Sequence, residues 1–348
     1  MEAKKIVGYL TPLCTHPGDE ISVKISCDTE STYRACLIEL ICGDSRRRGT
    51  GYQERAIDAD FSGEYPGKNQ PLIPGSYACL GELPDADEFG FNCWFYPTLL
   101  DKDQVLLSGP GLLVQLLKGQ CMINYGNTRL ALQLELRHKR WHQLSLSAGA
   151  GHLRGRILQS GKGAGEPDRI EINAEVPLRG TGLKKGRWWL ATNHGDNGGQ
   201  FNGRIEAPLL TTNINLDTLT TDTGQIVAQW DFSQDMSSDK FNDATGKYAG
   251  EFFQQPTRAV TGMKWDGSIQ RWTDQPSHYA SVHFHDDDLV DAGWETDFSF
   301  MVPKNLPSGV YAVKVRLSED EEDIMPFFVS PGPLGKKKDL ALLMSTAT

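Results

Sequence analysis

The chain has 348 residues, with 45 Asp and Glu against 35 Lys and Arg, for a formal net charge of −10. That length allows two or three domains with ordinary cores. The acidic balance argues against a nucleic-acid or anionic-membrane surface, which needs clustered Lys and Arg. The two basic runs, Arg46-Arg47-Arg48 and Lys336-Lys337-Lys338, read as solvated loop charge.

The opening MEAKKIVGYL has basic residues but no apolar h-region behind them. No signal peptide is expected, and no run is long enough to span a membrane. Alternation follows almost at once, in Ile21-Ser22-Val23-Lys24-Ile25. It returns in Leu130-Ala131-Leu132-Gln133-Leu134-Glu135-Leu136, in Leu144-Ser145-Leu146, and in Val310-Tyr311-Ala312-Val313-Lys314-Val315-Arg316-Leu317. A period of two marks strands with one buried face. Turn residues lie between these runs, as in Pro17-Gly18-Asp19, Asn124-Tyr125-Gly126-Asn127 and Pro307-Ser308-Gly309. Apolar helical spacing is nearly missing; Gly111 to Leu117 is the nearest case, and it is short. The fold class is therefore all-β, built of antiparallel sandwiches.

The first and last thirds of the chain resemble each other, since in both a Gly/Pro turn feeds a strand of an immunoglobulin-like sandwich. The middle reads as a different block. The expected organisation is a discontinuous outer sandwich, residues 1–72 and 256–333, with a second sandwich inserted at 73–255. Residues 334–348 read as a linker and the first strand of an α/β domain missing from this chain, because Lys336-Lys337-Lys338-Asp339 is followed by the apolar run Leu340-Ala341-Leu342-Leu343-Met344; the alternative is a strand that adds to the outer sandwich. The seven cysteines include no CxxC pair, and most lie in or beside apolar runs. Reduced core cysteines and a cytoplasmic setting are expected, rather than a zinc ribbon or a thioredoxin-type site.

Two stretches could carry chemistry. In His283-Phe284-His285-Asp286-Asp287-Asp288, the two histidines share one face of a strand. With the three aspartates they offer a mixture of imidazole and oxygen that a borderline or hard cation accepts. The competing reading puts Val282 and Phe284 in a core and turns the imidazoles, with Trp294 nearby, toward a neighbouring domain. The aspartates then cap the following turn. The second stretch is Asn193-His194-Gly195-Asp196-Asn197-Gly198, where Asn193, His194, Asp196 and Asn197 with Trp188 suggest a calcium or sugar loop. Against this stands a plain connecting loop. The signatures GxSxG, HExxH and GxxxxGK[ST] do not occur, and no catalytic residue is assigned.

Several stretches together resemble one family. They are Ile6-Val7-Gly8-Tyr9-Leu10, Leu40-Ile41-Cys42-Gly43-Asp44, Gly63-Glu64-Tyr65-Pro66-Gly67, Pro256-Thr257-Arg258-Ala259-Val260-Thr261-Gly262, the block from His283 to Phe300, and Ile324-Met325-Pro326-Phe327-Phe328-Val329. The family is the large (beta) subunit of N,N-dimethylformamidase, and the resemblance covers its N-terminal half. The middle block is similar to a laminin-G/concanavalin-like sandwich, with Asn202-Gly203-Arg204-Ile205-Glu206-Ala207-Pro208 standing at one of its strands.

The resemblance implies that chemistry resides in a C-terminal α/β domain, where tyrosine and glutamate side chains hold a mononuclear iron that acts as Lewis acid in C–N bond hydrolysis of a small amide. No position here corresponds to those ligands, so neither metal nor cofactor is assigned to this segment. The implied partners are that domain, a small subunit and further copies of the chain. On this reading the segment scaffolds an amidase and is inactive alone. The alternative is a stand-alone carbohydrate-binding or adhesive module.

Overall fold

The computed structural model describes residues 4–29, 31–44, 46, 49–160, 169–178, 182–193, 199–331, 340 and 343. They form strands almost throughout, with two short 3-10 turns, and no helix among them is long and apolar enough to cross a membrane. The chain divides into two compact units, residues 1–72 with 293–348, and residues 73–292.

The first unit begins with β1 (Ile6–Thr11), β2 (Cys14–Thr15), β3 (Glu20–Cys27), β4 (Thr32–Cys42), β5 (Gln53–Ile57) and β6 (Gly63–Pro66). The second unit follows with β7 (Tyr77–Leu83), β8 (Phe89–Pro97), β9 (Gln104–Gly109), β10 (Leu112–Leu117), β11 (Gln120–Tyr125), β12 (Thr128–Leu132), β13 (His142–Gly149) and β14 (His152–Ser160). It continues with β15 (Arg169–Pro177), β16 (Gly186–Leu190), β17 (Gly203–Thr211), β18 (Ile226–Gln229), β19 (Lys240–Asn242), β20 (Ala249–Phe253), β21 (Thr257–Val260) and β22 (Ser281–Phe284). The chain then returns to the first unit through β23 (Phe298–Met301), β24 (Gly309–Arg316) and β25 (Glu322–Val329).

In the first unit, a sheet β1-β3-β23 faces a larger one, β2-β25-β24-β4-β5, to which β6 adds through β4. The alternation of β3 turns Ile21, Val23 and Ile25 inward, where they join Leu37, Val313 and Phe327 in one core. Full burial of such side chains stabilises by about 1.5–3 kcal/mol each. Strands from both ends of the sequence therefore share one sandwich, as a discontinuous outer domain requires.

The insert packs β12-β11-β10-β9-β16-β7-β20-β19 against β15-β14-β13-β8-β17-β22-β21, with β18 on β17. Phe91, Cys93 and Phe95 of β8 point inward and are fully buried, while Asn92, Trp94 and Tyr96 take the other face. The chain passes into the insert at 72/73, the expected boundary, but leaves it at 292/293 rather than 255/256. The reason is pairing: β22 adds to β17 in the insert's own sheet, and β21 adds to β22. Of the expected strand in 334–348, only Leu340 and Leu343 are described, and both are exposed.

Candidate functional site

The corner from His283 to Asp288 is built by alternation followed by a turn. Val282 and Phe284 are fully buried in the insert core, and His283 takes the opposite face. On that face His283 lies opposite Arg204 of β17 and Thr257 of β21. Beyond Phe284 the chain meets the start of the insert. Gly75 adopts φ +108°, a conformation that favours glycine. Its N–H donates to Asp288 O at 2.7 Å, and Ser76 N–H donates to His285 O at 2.9 Å. The Ser76 hydroxyl, itself fully buried, donates to Asp288 Oδ2 at 2.7 Å and accepts from His285 N–H at 3.1 Å. His285 Nδ1 lies 3.1 Å from the same Asp288 oxygen.

A second network holds the turn from the other side. Asp286 accepts from Asn202 Nδ2 at 2.6 Å and from Lys102 Nζ at 2.8 Å. Burial opposes ionisation of Asp286, but these donors outweigh it and hold the carboxyl below its ordinary range. Thr98 donates its hydroxyl to Asn202 Oδ1 at 2.5 Å, so its 3.4 Å contact with His283 Nε2 requires the proton on that nitrogen. Burial, then His285 and Arg204, push the His283 pKa down to about 4. His283 is therefore neutral at pH 7.

These residues do not fit a metal ion. The His283 and His285 rings pack on one another, 4.1 Å between centroids and tilted by 36°, and His285 Nδ1 is already engaged with Asp288. Asp286 and Asp288 already accept protein donors. Among the described residues, no group of three or more His, Cys, Asp and Glu is placed to hold a metal. What the arrangement does is tie the insert's first and last segments together through satisfied bonds.

Other residues singled out from sequence fall elsewhere. Asp287 is exposed at the tip of the turn. Trp294 belongs to the first unit, where its ring lies 5.5 Å from Tyr9 and its indole N–H donates to Pro71 O at 2.9 Å. Asn193 is partly buried, while His194, Asp196 and Asn197 lie outside the described residues. Trp188 is 0 % exposed and packs on Phe89 and Phe91, so it offers no face to a sugar. A register shift between Trp188 and Trp189 sends the latter to Tyr77 and Phe253 instead.

Sequence reasoning missed Ser76, Thr98, Lys102 and Asn202, which reach the corner from distant segments and carry no local signal. It also missed Arg204, whose guanidinium lies 5.0 Å from the Tyr96 ring centroid and donates to Thr261 O at 2.9 Å. Strand alternation alone could have placed Arg204 and Tyr96 on one face.

A family model described as N,N-dimethylformamidase beta subunit-like, C-terminal, matches residues 257–348. The N,N-dimethylformamidase beta subunit of Paracoccus aminophilus is 28 % identical, over 99 % of this chain and 51 % of its own length. That of an Alcaligenes species is also 28 % identical, over 94 % of this chain and 49 % of its own. Among solved structures, domains LG4-5 of the mouse laminin alpha1 chain match 46 % of this chain and 47 % of theirs, at 15 % identity and a TM-score of 0.28. A SAP-like pentraxin from Limulus polyphemus matches 43 % of this chain and 75 % of its own, at 10 % identity and a TM-score of 0.32. Both structural likenesses are too distant to bear on function. The chain is similar to N,N-dimethylformamidase beta subunits, with the family model matching its last 92 residues, and it spans about half the length of the curated relatives it matches.

Proposed function

We propose that this chain is the non-catalytic, scaffolding part of an N,N-dimethylformamidase-like amide hydrolase. The whole enzyme hydrolyses the C–N bond of a small amide, and this part positions the portion that does so. One observation carries the reading: the match runs through nearly the whole chain yet covers only half of each relative. The scaffold serves an iron-bearing catalytic portion that lies outside these residues, a small subunit and further copies, in the cytoplasm. The His283–Asp288 corner contributes by closing the insert, with no step of the reaction assigned to it.

The test is amide hydrolysis followed as amine release. The purified 348-residue chain is expected to release no dimethylamine from N,N-dimethylformamide. Addition of the separately produced remaining half of the Paracoccus aminophilus subunit is expected to give turnover. Turnover by this chain alone contradicts the proposal. Specific glycan binding by the chain, with no turnover in either arm, favours a stand-alone carbohydrate-binding module instead.

A further inference from the structure

The stretch Pro256-Thr257-Arg258-Ala259-Val260-Thr261-Gly262 carries part of the family resemblance, yet nothing above explains its arginine. Thr257 shares the His283 face, and Arg258 reaches the opposite way, to Phe252 of the facing sheet. The topology places this at one flank of the insert, where one sheet ends on β19 and β20 and the other on β21. A cavity of about 570 Å³ opens there. That volume lies within the range of small-molecule sites. Met236, Phe252 and Pro256 give it an apolar wall; Ser237, Asp239 and Arg258 give it polar groups.

Arg258 is held but not neutralised. Its guanidinium lies 4.4 Å from the Phe252 ring centroid, and it donates to the carbonyls of Ser238 at 2.7 Å and of Phe232 and Gln234 at 3.2 Å. Among the described residues it forms no ion pair with a carboxylate, and Asp235 acts on it only electrostatically. Burial opposes its charge. The Nε–H is buried and meets no acceptor among the described residues. A buried donor without a partner is rare and calls for a cause. The backbone around the cavity is strained as well. Asp235, Gln254, Gln255 and Ala259 all have positive φ, of 44°, 60°, 50° and 56°. Such conformations in non-glycine residues cluster at ligand clamps.

We propose that this flank binds a small organic carboxylate, its charged end on the edge of Arg258 and its apolar body against Met236, Phe252 and Pro256. The carboxylate supplies a countercharge that no described residue pairs with this guanidinium. Asp239, on the rim, repels the incoming anion and sets an upper bound on affinity.

Calorimetric titration of the full chain with hexanoate, and with hexanamide as its neutral counterpart, tests this. Saturable binding of one hexanoate is expected, with hexanamide at least tenfold weaker. Arg258→Gln should weaken hexanoate at least tenfold. Because Arg258 also ties three carbonyls, that variant can lose its fold, so two rim variants stand beside it. Ser237→Trp, at an exposed position, should block binding, and Asp239→Asn should tighten it. Equal binding of acid and amide, no hexanoate binding at all, or indifference to both rim variants would overturn the assignment.

Discussion

In the corner from His283 to Asp288, histidines, aspartates, a serine and a lysine crowd together, and the central donors and acceptors are matched. At the Arg258 flank one guanidinium stands beside a cavity with a donor unmatched and no carboxylate partner among the described residues. From composition alone the first looks like chemistry and the second like nothing. Their bonding reverses that order. A dense polar cluster whose groups satisfy one another is a brace, because its hydrogen bonds leave little to offer a ligand. A sparse site with an unmet need is where a ligand gains most.

The comparison breaks most readily in the core beneath the corner. Phe284→Ala removes a fully buried ring shared with that core, and a loss of about 3–5 kcal/mol is expected from urea unfolding. A cost well below 1 kcal/mol would mean that the corner is not braced from below.

Acid should act next. His142 is fully buried against Phe95, and burial pushes its pKa down to about 4. The unfolded chain, with a pKa of 6.5, binds the proton more readily than the folded one. Stability is therefore full above pH 6.5, falls as pH drops toward 4, and levels off below. Two to three pKa units correspond to about 3 kcal/mol. His283 adds a smaller contribution of the same sign, because it is partly exposed. Between pH 7 and 4, wild type should lose about 3 kcal/mol of unfolding free energy relative to His142→Phe. Parallel curves would remove His142 from the account.

Ser76→Ala tests the brace itself. Asp288 loses a donor and His285 N–H loses its acceptor in a buried setting, which costs about 1–3 kcal/mol. The smallest effects are expected at the surface. Asp287→Ala should leave the unfolding midpoint unchanged, and so should added zinc or ferrous ion. A metal-dependent rise in the midpoint that His283→Ala abolishes would restore the corner as a metal site.

Much of the fold was legible because alternation is a local property. The runs at Ile21, Leu144 and Val310 became strands with the expected inward faces, and the insert begins at the expected place. Its end does not fall where expected, because β21 and β22 are four-residue strands whose sheet is decided by pairing of β22 with β17 and of β21 with β22, not by their own composition. Trp188 was misread for a similar reason: it packs in the core on Phe89 and Phe91, while Trp189, past a register shift, is buried against Tyr77 and Phe253. The inward Val282 and Phe284 were readable from spacing, whereas Asp286 and Asp288 bond side chains of other segments in place of the turn's own backbone. Their partners Ser76, Thr98 and Asn202 were not, since nothing in a linear pattern brings residues so far apart to one corner.

Iron content most directly tests the claim that the chemistry lies outside these residues. The chain, purified after growth with ample iron and desalted, is expected to retain far less than one iron per molecule. One tightly held iron per chain, lost in His283→Ala or His285→Ala with the fold intact, would contradict it.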